Sequence, residues 1–154
     1  MIAAVIDCSA VAELLTSAGS AGVREHDELG DCLLAAPHLI DPEFVSVVRR
    51  LGRSRPQQLE WVQQLLDEFA SVPITRFEHG PLRRLAWDWR HELSAYDAMY
   101  VALAHELRVP LVTSDARLAA AAGRWCEARL LSELAPSAAE GSLPTPSAPP
   151  AGPR

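Results

Sequence analysis

IAAVIDCSAVAELL, residues 2–15, is the stretch that decides the fold, because it contains a complete passage from strand to helix. Its opening run, Ile2–Ile6, is wholly apolar and predicts a short strand buried on both faces. Asp7 ends this run. Ser9 is a candidate N-cap for a helix that continues to about Leu15, with apolar residues at helical spacing. A doubly buried strand followed at once by a helix is typical of a parallel sheet.

Strands and helices alternate along the rest of the chain. Further strands are predicted over residues 72–77, 109–113 and 128–131. Further helices are predicted over residues 23–34, 41–51, 57–69, 81–92, 94–107 and 116–122. The helix over residues 41–51 is expected to begin with Asp41 as N-cap and Pro42 as its first residue, and Gly52 is expected to break it. Alternation of this kind requires crossover connections, so we expect a three-layer α/β/α domain with a mainly parallel central sheet.

The composition is that of one globular domain followed by a polar tail. The chain has 154 residues, of which 49% are hydrophobic and 22% charged, and this suits a single domain with a substantial core. We expect that domain to occupy residues 1–134. Residues 135–154 are mostly Pro, Ala, Ser and Gly, with almost no large apolar side chains, so they are predicted to be disordered.

Cysteine usage and the N-terminal residues indicate the compartment. The chain has three cysteines, without a CxxC pair or zinc-type spacing, which fits a reducing cytoplasm. The first apolar run is interrupted by Asp7 and has no basic region before it, unlike a signal peptide or a membrane span. We therefore expect a cytoplasmic protein with no membrane segment. The net charge of −6 argues against a broadly basic surface for nucleic acid, although it permits a local basic patch.

Four acidic residues occupy corresponding places in the predicted elements. Asp7 and Asp115 each follow a buried strand, whereas Glu43 and Asp97 each stand in the first turn of a helix. Parallel sheets bind ligands outside the carboxyl ends of their strands, so we expect the four carboxylates to share one crevice. Two carboxylates about 4 Å apart repel each other by roughly 4 kcal/mol at an effective dielectric of about 20. The cluster is therefore best explained by a bound cation, and all-oxygen sites of this kind suit Mg²⁺ or Mn²⁺.

Each of these acidic residues also has a purely structural explanation. Asp7 and Asp115 could accept backbone N–H groups at the start of the next helix, and Glu43 could interact with a helix dipole. Asp97 lies three residues after Ser94, as in a capping box. The joint pattern nevertheless favours a site, because Asp97 falls on the inward-facing stripe of its helix, where an unpaired charge is costly.

Two segments in the C-terminal half carry a family resemblance. They are Tyr96-Asp97-Ala-Met-Tyr-Val-Ala-Leu-Ala104 and Pro110-Leu-Val-Thr-Ser-Asp-Ala-Arg-Leu118. Together they closely resemble the PIN-domain ribonucleases, and most of all the VapC-type toxins of bacterial toxin–antitoxin pairs. Asp7-Cys-Ser-Ala10 and Pro42-Glu43, with the following Val47-Val48-Arg49-Arg50, agree with this resemblance. It covers about residues 2–132, which is nearly the whole chain before the tail.

The resemblance implies a catalytic site and a reaction. Asp7, Glu43, Asp97 and Asp115 would be the catalytic quartet that holds one or two Mg²⁺ or Mn²⁺ ions. Thr113 and Ser9 would orient the carboxylates or a bound water. The implied activity is that of a metal-dependent endoribonuclease, a hydrolase of RNA phosphodiester bonds that acts as the toxin of a type II toxin–antitoxin system. The implied partners are an RNA substrate, a small antitoxin protein and a second copy of the chain in a homodimer.

Arginines close to the acidic residues are candidates for RNA contact. Arg49 and Arg50 follow Glu43 on the same predicted helix, and Arg117 follows Asp115. Phosphate contacts made by arginines would weaken RNA binding steeply as salt rises. A solvated helix face, or ion pairs with neighbouring acids, is the alternative interpretation of these residues.

Other function classes fit the sequence less well. Haloacid-dehalogenase-like phosphatases and response-regulator receiver domains use a lysine, and all fourteen basic residues here are arginine. A dinucleotide-binding domain would carry GxGxxG, which the chain lacks. The remaining alternative is a catalytically inactive PIN-like module that binds RNA or a protein partner.

Overall fold

Short apolar segments form a parallel sheet in the part of the chain that the computed structural model describes, residues 2–18 and 33–134. The strands are β1 (Ile2–Ile6), β2 (Leu33–Pro37), β3 (Ile74–Phe77), β4 (Leu111–Thr113) and β5 (Ala128–Leu130). Their order in the sheet is β3-β2-β1-β4-β5, and every neighbouring pair is parallel. The predicted three-layer α/β/α architecture is confirmed.

The described residues contain six α-helices, which connect the strands or follow them. They are α1 (Cys8–Ala18), α2 (Ile40–Ser54), α3 (Leu59–Ser71), α4 (Arg83–Asp88), α5 (Ala95–Leu107) and α6 (Ala116–Ala122). None of the helices in these residues is long and apolar enough to cross a membrane.

Strands β2 and β3 lie on one side of β1, and strands β4 and β5 lie on its other side. The chain moves outward from β1 through β2 to β3 and then returns to place β4 on the other side of β1, where Ile6 pairs with Val112. Right-handed crossovers therefore put α1, α2 and α3 on one face and α5 and α6 on the other. The boundary between β1 and β4 is the topological switch point, where ligands bind in open parallel sheets. Asp7 and Asp115 leave the sheet at this point.

Two helices pack in ways that matter for the site. The middle of α5, including Ala98, Val101 and Ala104, is buried completely, and these small side chains let the helix lie close against β1 and β2. On the opposite face, the rings of Phe44 and Phe69 stack with their centres 4.1 Å apart and join α2 to α3. The first turns of α2 and α5 are thereby fixed relative to the sheet.

Strand β2 begins where the sequence predicted the end of a helix. Leu33 and Leu34 belong to β2 and not to the predicted helix over residues 23–34; the rest of that segment lies outside the described residues. The strand pairs with β1 on one side and β3 on the other, and this pairing overrides the helical propensity of leucine and alanine. The predicted tail over residues 135–154 also lies outside the described part of the chain.

The start and end of α2 and the cap of α1 also differ from the predictions. The α2 helix begins at Ile40, so Asp41 lies within its first turn and is not its N-cap. It continues through Gly52 to Ser54, since the glycine is tolerated inside an amphipathic helix that packs against α3. At α1, the side chain of Asp7 accepts the backbone N–H of Ala10, so Asp7 takes the capping role predicted for Ser9.

Candidate active site

Asp7 lies at the carboxyl end of β1 and is only 5% exposed. Its Oδ1 atom accepts the backbone N–H of Ala10 at 2.9 Å. The hydroxyl of Ser9 lies 2.8 Å from Oδ1 and 2.9 Å from Oδ2. The hydroxyl of Thr113 donates to Oδ2 at 2.5 Å. Burying a carboxylate is costly unless it is hydrogen-bonded, and these three neutral donors hold it in one orientation.

Thr113 connects Asp7 to the last of the four acidic residues. It is completely buried at the end of β4, and its hydroxyl accepts the backbone N–H of Asp115 at 3.0 Å. Ser9 adds a second connection, because its hydroxyl accepts the N–H of Ser114 at 2.9 Å and lies 3.2 Å from Thr113 Oγ1. Thr113 and Ser9 therefore both contact Asp7 and the backbone that leads to Asp115.

Asp115 caps helix α6, as its structural explanation expected. Its Oδ1 atom accepts the N–H groups of Arg117 at 2.8 Å and Leu118 at 3.3 Å. These two backbone hydrogen bonds, more than the nearby Arg117 guanidinium, lower the pKa of Asp115 below its ordinary value of 3.8. Its Oδ2 atom lies 3.7 Å from Arg117 Nη2, whose side chain is almost fully exposed. One oxygen thus caps the helix, and the other lies near the exposed guanidinium of Arg117.

Glu43 lies in the first turn of α2 and is held by a residue that the sequence interpretation missed. The hydroxyl of Tyr100, a buried residue of α5, donates to Glu43 Oε2 at 2.5 Å. Tyr100 follows Asp97 by three residues, so both side chains lie on the same side of α5. The signal for Tyr100 was its place on the buried stripe, because a buried tyrosine hydroxyl usually has a partner.

Asp97 is half-buried in the first turn of α5. Its backbone N–H donates to the hydroxyl of the N-cap residue Ser94 at 3.1 Å, and that hydroxyl lies 2.8 Å from Asp97 Oδ2. The capping contact expected of this pair is therefore present. It restrains the side chain of Asp97 on the same helix that carries the partner of Glu43.

Three of the four carboxylates share one electrostatic environment. Burial is the largest cause of the raised pKa of Asp7, which the hydrogen bonds from Thr113, Ala10 and Ser9 partly offset; the negative charge of Asp97 raises it further. Burial also raises the pKa of Glu43, and the charges of Asp7 and Asp97 add to this effect, while the Tyr100 hydrogen bond opposes it. Asp115 does not contribute to either pKa and joins the group through Thr113.

The donor atoms of this group fit a hard divalent cation, although the side chains do not form a finished cage. Carboxylate and hydroxyl oxygens are the ligands that Mg²⁺ and Mn²⁺ prefer. Within the described residues, no group of three or more His, Cys, Asp or Glu side chains has the spacing that holds a metal ion. Glu43 and Asp97 each accept a side-chain hydrogen bond from one neutral hydroxyl.

A groove of about 810 Å³ opens beside Glu43, between α1 and the first half of α2. Apolar side chains of both helices line most of it, and Glu43, Arg50 and Tyr96 stand along it. Of the arginines predicted to contact RNA, Arg50 lines the groove, whereas Arg49 is exposed on α2 without lining it. The third predicted arginine lies beside Asp115 at the other side of the site.

Comparison with known proteins identifies the family to which the chain is similar. The PIN domain family profile matches residues 4–124. Ribonuclease VapC1 of Mycobacterium tuberculosis is 38% identical over 128 residues, which cover 82% of this chain and 96% of that protein. Ribonuclease VapC9 of Mycobacterium tuberculosis is 37% identical over 114 residues, which cover 74% of this chain and 87% of that protein.

The fold is also similar to that of a solved archaeal protein. The crystal structure of PAE2754 from Pyrobaculum aerophilum superimposes with a TM-score of 0.60 over 85% of this chain and 92% of that one. At 20% sequence identity, this likeness supports the architecture alone.

Proposed function

Because the chain belongs to the PIN-domain family and to its VapC-type branch, we propose that it is a divalent-metal-dependent endoribonuclease that acts as a toxin. The observation that carries the proposal is the set of hydrogen bonds that links the acidic residues. Thr113 joins Asp7 to Asp115 at the topological switch point, and Tyr100, which shares helix α5 with Asp97, holds Glu43. Convergence of buried or half-buried carboxylates is costly for folding, and a cation-binding role explains why they are gathered there.

In this proposal Asp7, Glu43, Asp97 and Asp115 hold one or two Mg²⁺ or Mn²⁺ ions. A bound ion of this kind supplies a water of lowered pKa and neutralises charge on the phosphate. The chain supplies the orientation: Ser9 and Thr113 fix Asp7, Tyr100 fixes Glu43, and Ser94 restrains Asp97. Neutral hydroxyls do this without cancelling the negative charge that attracts the cation.

The first test is cleavage of RNA by the purified full-length chain. We expect cleavage with Mg²⁺ or Mn²⁺ and none with excess EDTA. Asp97→Asn should lower the rate about a hundredfold or more, since even outer partners of metal ligands contribute about 10- to 100-fold. Asparagine keeps an oxygen for the Ser94 hydroxyl, so the start of α5 should remain folded.

A matched substitution on α3 separates a local effect from a general loss of negative charge. Asp67 is exposed and lies away from the four carboxylates, so Asp67→Asn should cleave RNA like the unmodified chain. Full activity of Asp97→Asn would refute the catalytic assignment. RNA binding without cleavage in any divalent ion would favour the inactive PIN-like module instead.

The toxin role makes a separate prediction about genomic context. We propose that the protein is cytoplasmic, dimeric and held inactive by a small antitoxin. A short reading frame for a small DNA-binding protein should lie immediately upstream of its gene. Absence of such a neighbour would favour a stand-alone nuclease, without affecting the assignment of the four acidic residues.

A further inference from the structure

The groove beside Glu43 ends at an exposed aromatic ring. Tyr96 is 67% exposed although it directly precedes Asp97 in the first turn of α5. The other residues along the groove include the apolar side chains of Ala12 on α1, Val47 on α2 and Leu39 just before α2. An exposed ring that lines a largely apolar groove, next to a carboxylate of the proposed site, offers a flat surface to a group that enters the groove.

The groove also contains one cation. Arg50 follows Glu43 by seven residues on α2, which is about two helical turns, so both side chains lie on the groove side of the helix. Within the described residues, Arg50 makes neither an ion pair nor a side-chain hydrogen bond. Its guanidinium is therefore available to a negatively charged group lying in the groove.

We propose that this groove is a subsite for one unpaired nucleotide of the RNA next to the cleaved bond, with its base stacked on Tyr96 and its phosphate bound by Arg50. The proposal rests on the proposed nuclease function and adds to it the residues that hold the substrate strand. An unpaired nucleotide matches the groove in two respects: the flat face of its base can lie against an aromatic ring and apolar side chains, and its phosphate can meet a cation.

The arrangement favours single-stranded RNA over a duplex. Bases in an A-form duplex are stacked on each other and cannot offer a face to Tyr96, whereas bases in loops and ends can. The volume of about 810 Å³ is large enough for such a group, since ligand pockets in proteins span about 300–1,000 Å³. Glu43 lies between Arg50 and the start of the helix, so a strand along the groove leads toward the carboxylates.

The test of the aromatic contact uses the full-length chain and a fluorescently labelled short single-stranded RNA of mixed sequence, in EDTA so that nothing is cut. We expect Tyr96→Leu to weaken binding about tenfold, as for the loss of one base–aromatic stack. Tyr96→Phe keeps the ring and should bind like the unmodified chain. Trp87→Leu is the matched control, because Trp87 is 63% exposed on α4 and does not line the groove.

The role of Arg50 is tested by measuring how the affinity for the same single-stranded RNA depends on salt. Arg50→Gln should weaken binding and make the slope of log affinity against log salt less steep by about 0.7, as expected for one lost phosphate contact on a single strand. Arg84→Gln removes the same charge from an exposed position on α4 and should leave the slope unchanged. The same RNA annealed to its complement should bind Tyr96→Leu and the unmodified chain alike.

Each contrary outcome is distinguishable from failure of the nuclease assignment. If the unmodified chain cleaves RNA but Tyr96→Leu binds it with unchanged affinity, the subsite is overturned and the nuclease remains. If Tyr96→Leu instead abolishes self-association, the groove belongs to a second copy of the chain, and the subsite is again overturned. If the unmodified chain binds single-stranded RNA in this Tyr96-dependent way but never cleaves it, the subsite stands and the nuclease assignment fails.

Discussion

At the scale of single residues, the site is held together by hydroxyl groups. Ser9 and Thr113 contact Asp7, Tyr100 contacts Glu43, and Ser94 contacts Asp97. Among the described residues, the one ion pair to any of these four acids is that of Arg117 with Asp115, at 3.7 Å. Hydroxyls fix the direction of a carboxylate and leave its charge intact, whereas a paired arginine would neutralise it. The choice of neutral partners is what a cation-binding site requires.

Tyr100→Phe tests whether a neutral hydroxyl fixes the orientation of Glu43, because it removes the hydrogen bond between the two residues. Removing the hydroxyl frees Glu43 to rotate and should lower RNA cleavage about tenfold, because hydrogen bonds to charged groups contribute roughly 1.5–3 kcal/mol. The Tyr100 hydrogen bond also opposes the rise in the pKa of Glu43, so its loss should raise that pKa further. The acidic limb of the pH–rate profile should therefore move to higher pH. An acidic limb that stays in place while activity falls would show that Tyr100 orients Glu43 without setting its pKa.

The sequence indicated three of the four hydroxyl groups that contact the carboxylates, those of Ser9, Thr113 and Ser94, but not that of Tyr100. Asp7 and Asp115 could be recognised because each follows an apolar strand, and their placement at the switch point agrees with the sheet topology. The place of Tyr100 on the buried stripe of α5 implies that its hydroxyl has a partner, but the same pattern fits an ordinary core residue and does not identify the partner. Its partner, Glu43, is 57 positions away in the chain, and only the packing of α2 near α5 brings the two together.

At the scale of elements, β2 shows where periodicity fails. Its sequence, Leu-Leu-Ala-Ala-Pro, is a short apolar run, and such runs do not distinguish a buried strand from a buried helix. By contrast, α5 was predicted closely, because its thirteen residues supply a cap and several turns of regular spacing. Length therefore decides how much of an element can be predicted from its own residues, and pairing with neighbours decides the rest.

The start of α2 is fixed by side chains from the segment that includes β3. Arg76 binds Asp41 through Nε, at 3.0 Å from each carboxylate oxygen, and through Nη2 at 2.8 Å, and its Nη1 donates to the carbonyl of Ile74 at 3.0 Å. His79 Nε2 accepts the backbone N–H of Leu39 at 3.0 Å. These contacts replace the missing N-cap and hold the turn that carries Glu43.

Arg76→Lys tests the anchor, because lysine keeps the charge and loses the planar fork. The pair is partly exposed, so we expect the free energy of unfolding to fall by only about 1 kcal/mol. Urea denaturation measures this change. Arg84→Lys is the matched control: its pair with Asp88 is exposed and poorly directed, so stability should not change measurably. Equal effects of the two substitutions would show that Arg76 does not anchor α2.

At the scale of the whole molecule, collecting the acidic residues at one edge makes stability depend on pH. The pKa values of Asp7 and Glu43 are raised above their ordinary 3.8 and 4.5, so the folded chain holds these protons more tightly than the unfolded chain. Their contribution to the free energy of unfolding therefore falls as pH rises above those values. Asp115 contributes in the opposite direction, since its pKa is lowered and its contribution is lost as pH falls.

Asp7→Asn should reveal this cost in the metal-free chain. Asparagine keeps one oxygen for the Ala10 N–H and carries no charge. The melting temperature of Asp7→Asn, compared with that of the unmodified chain, should therefore be higher at about pH 7.5 than at about pH 4. Adding Mg²⁺ or Mn²⁺ at neutral pH should raise the melting temperature of the unmodified chain and have little effect on Asp7→Asn, because a ligand stabilises only the state that binds it. Thermal scans at both pH values, with Asp67→Asn as control, measure both effects. If the difference in melting temperature between Asp7→Asn and the unmodified chain is instead the same at both pH values, the charge of Asp7 does not destabilise the folded chain.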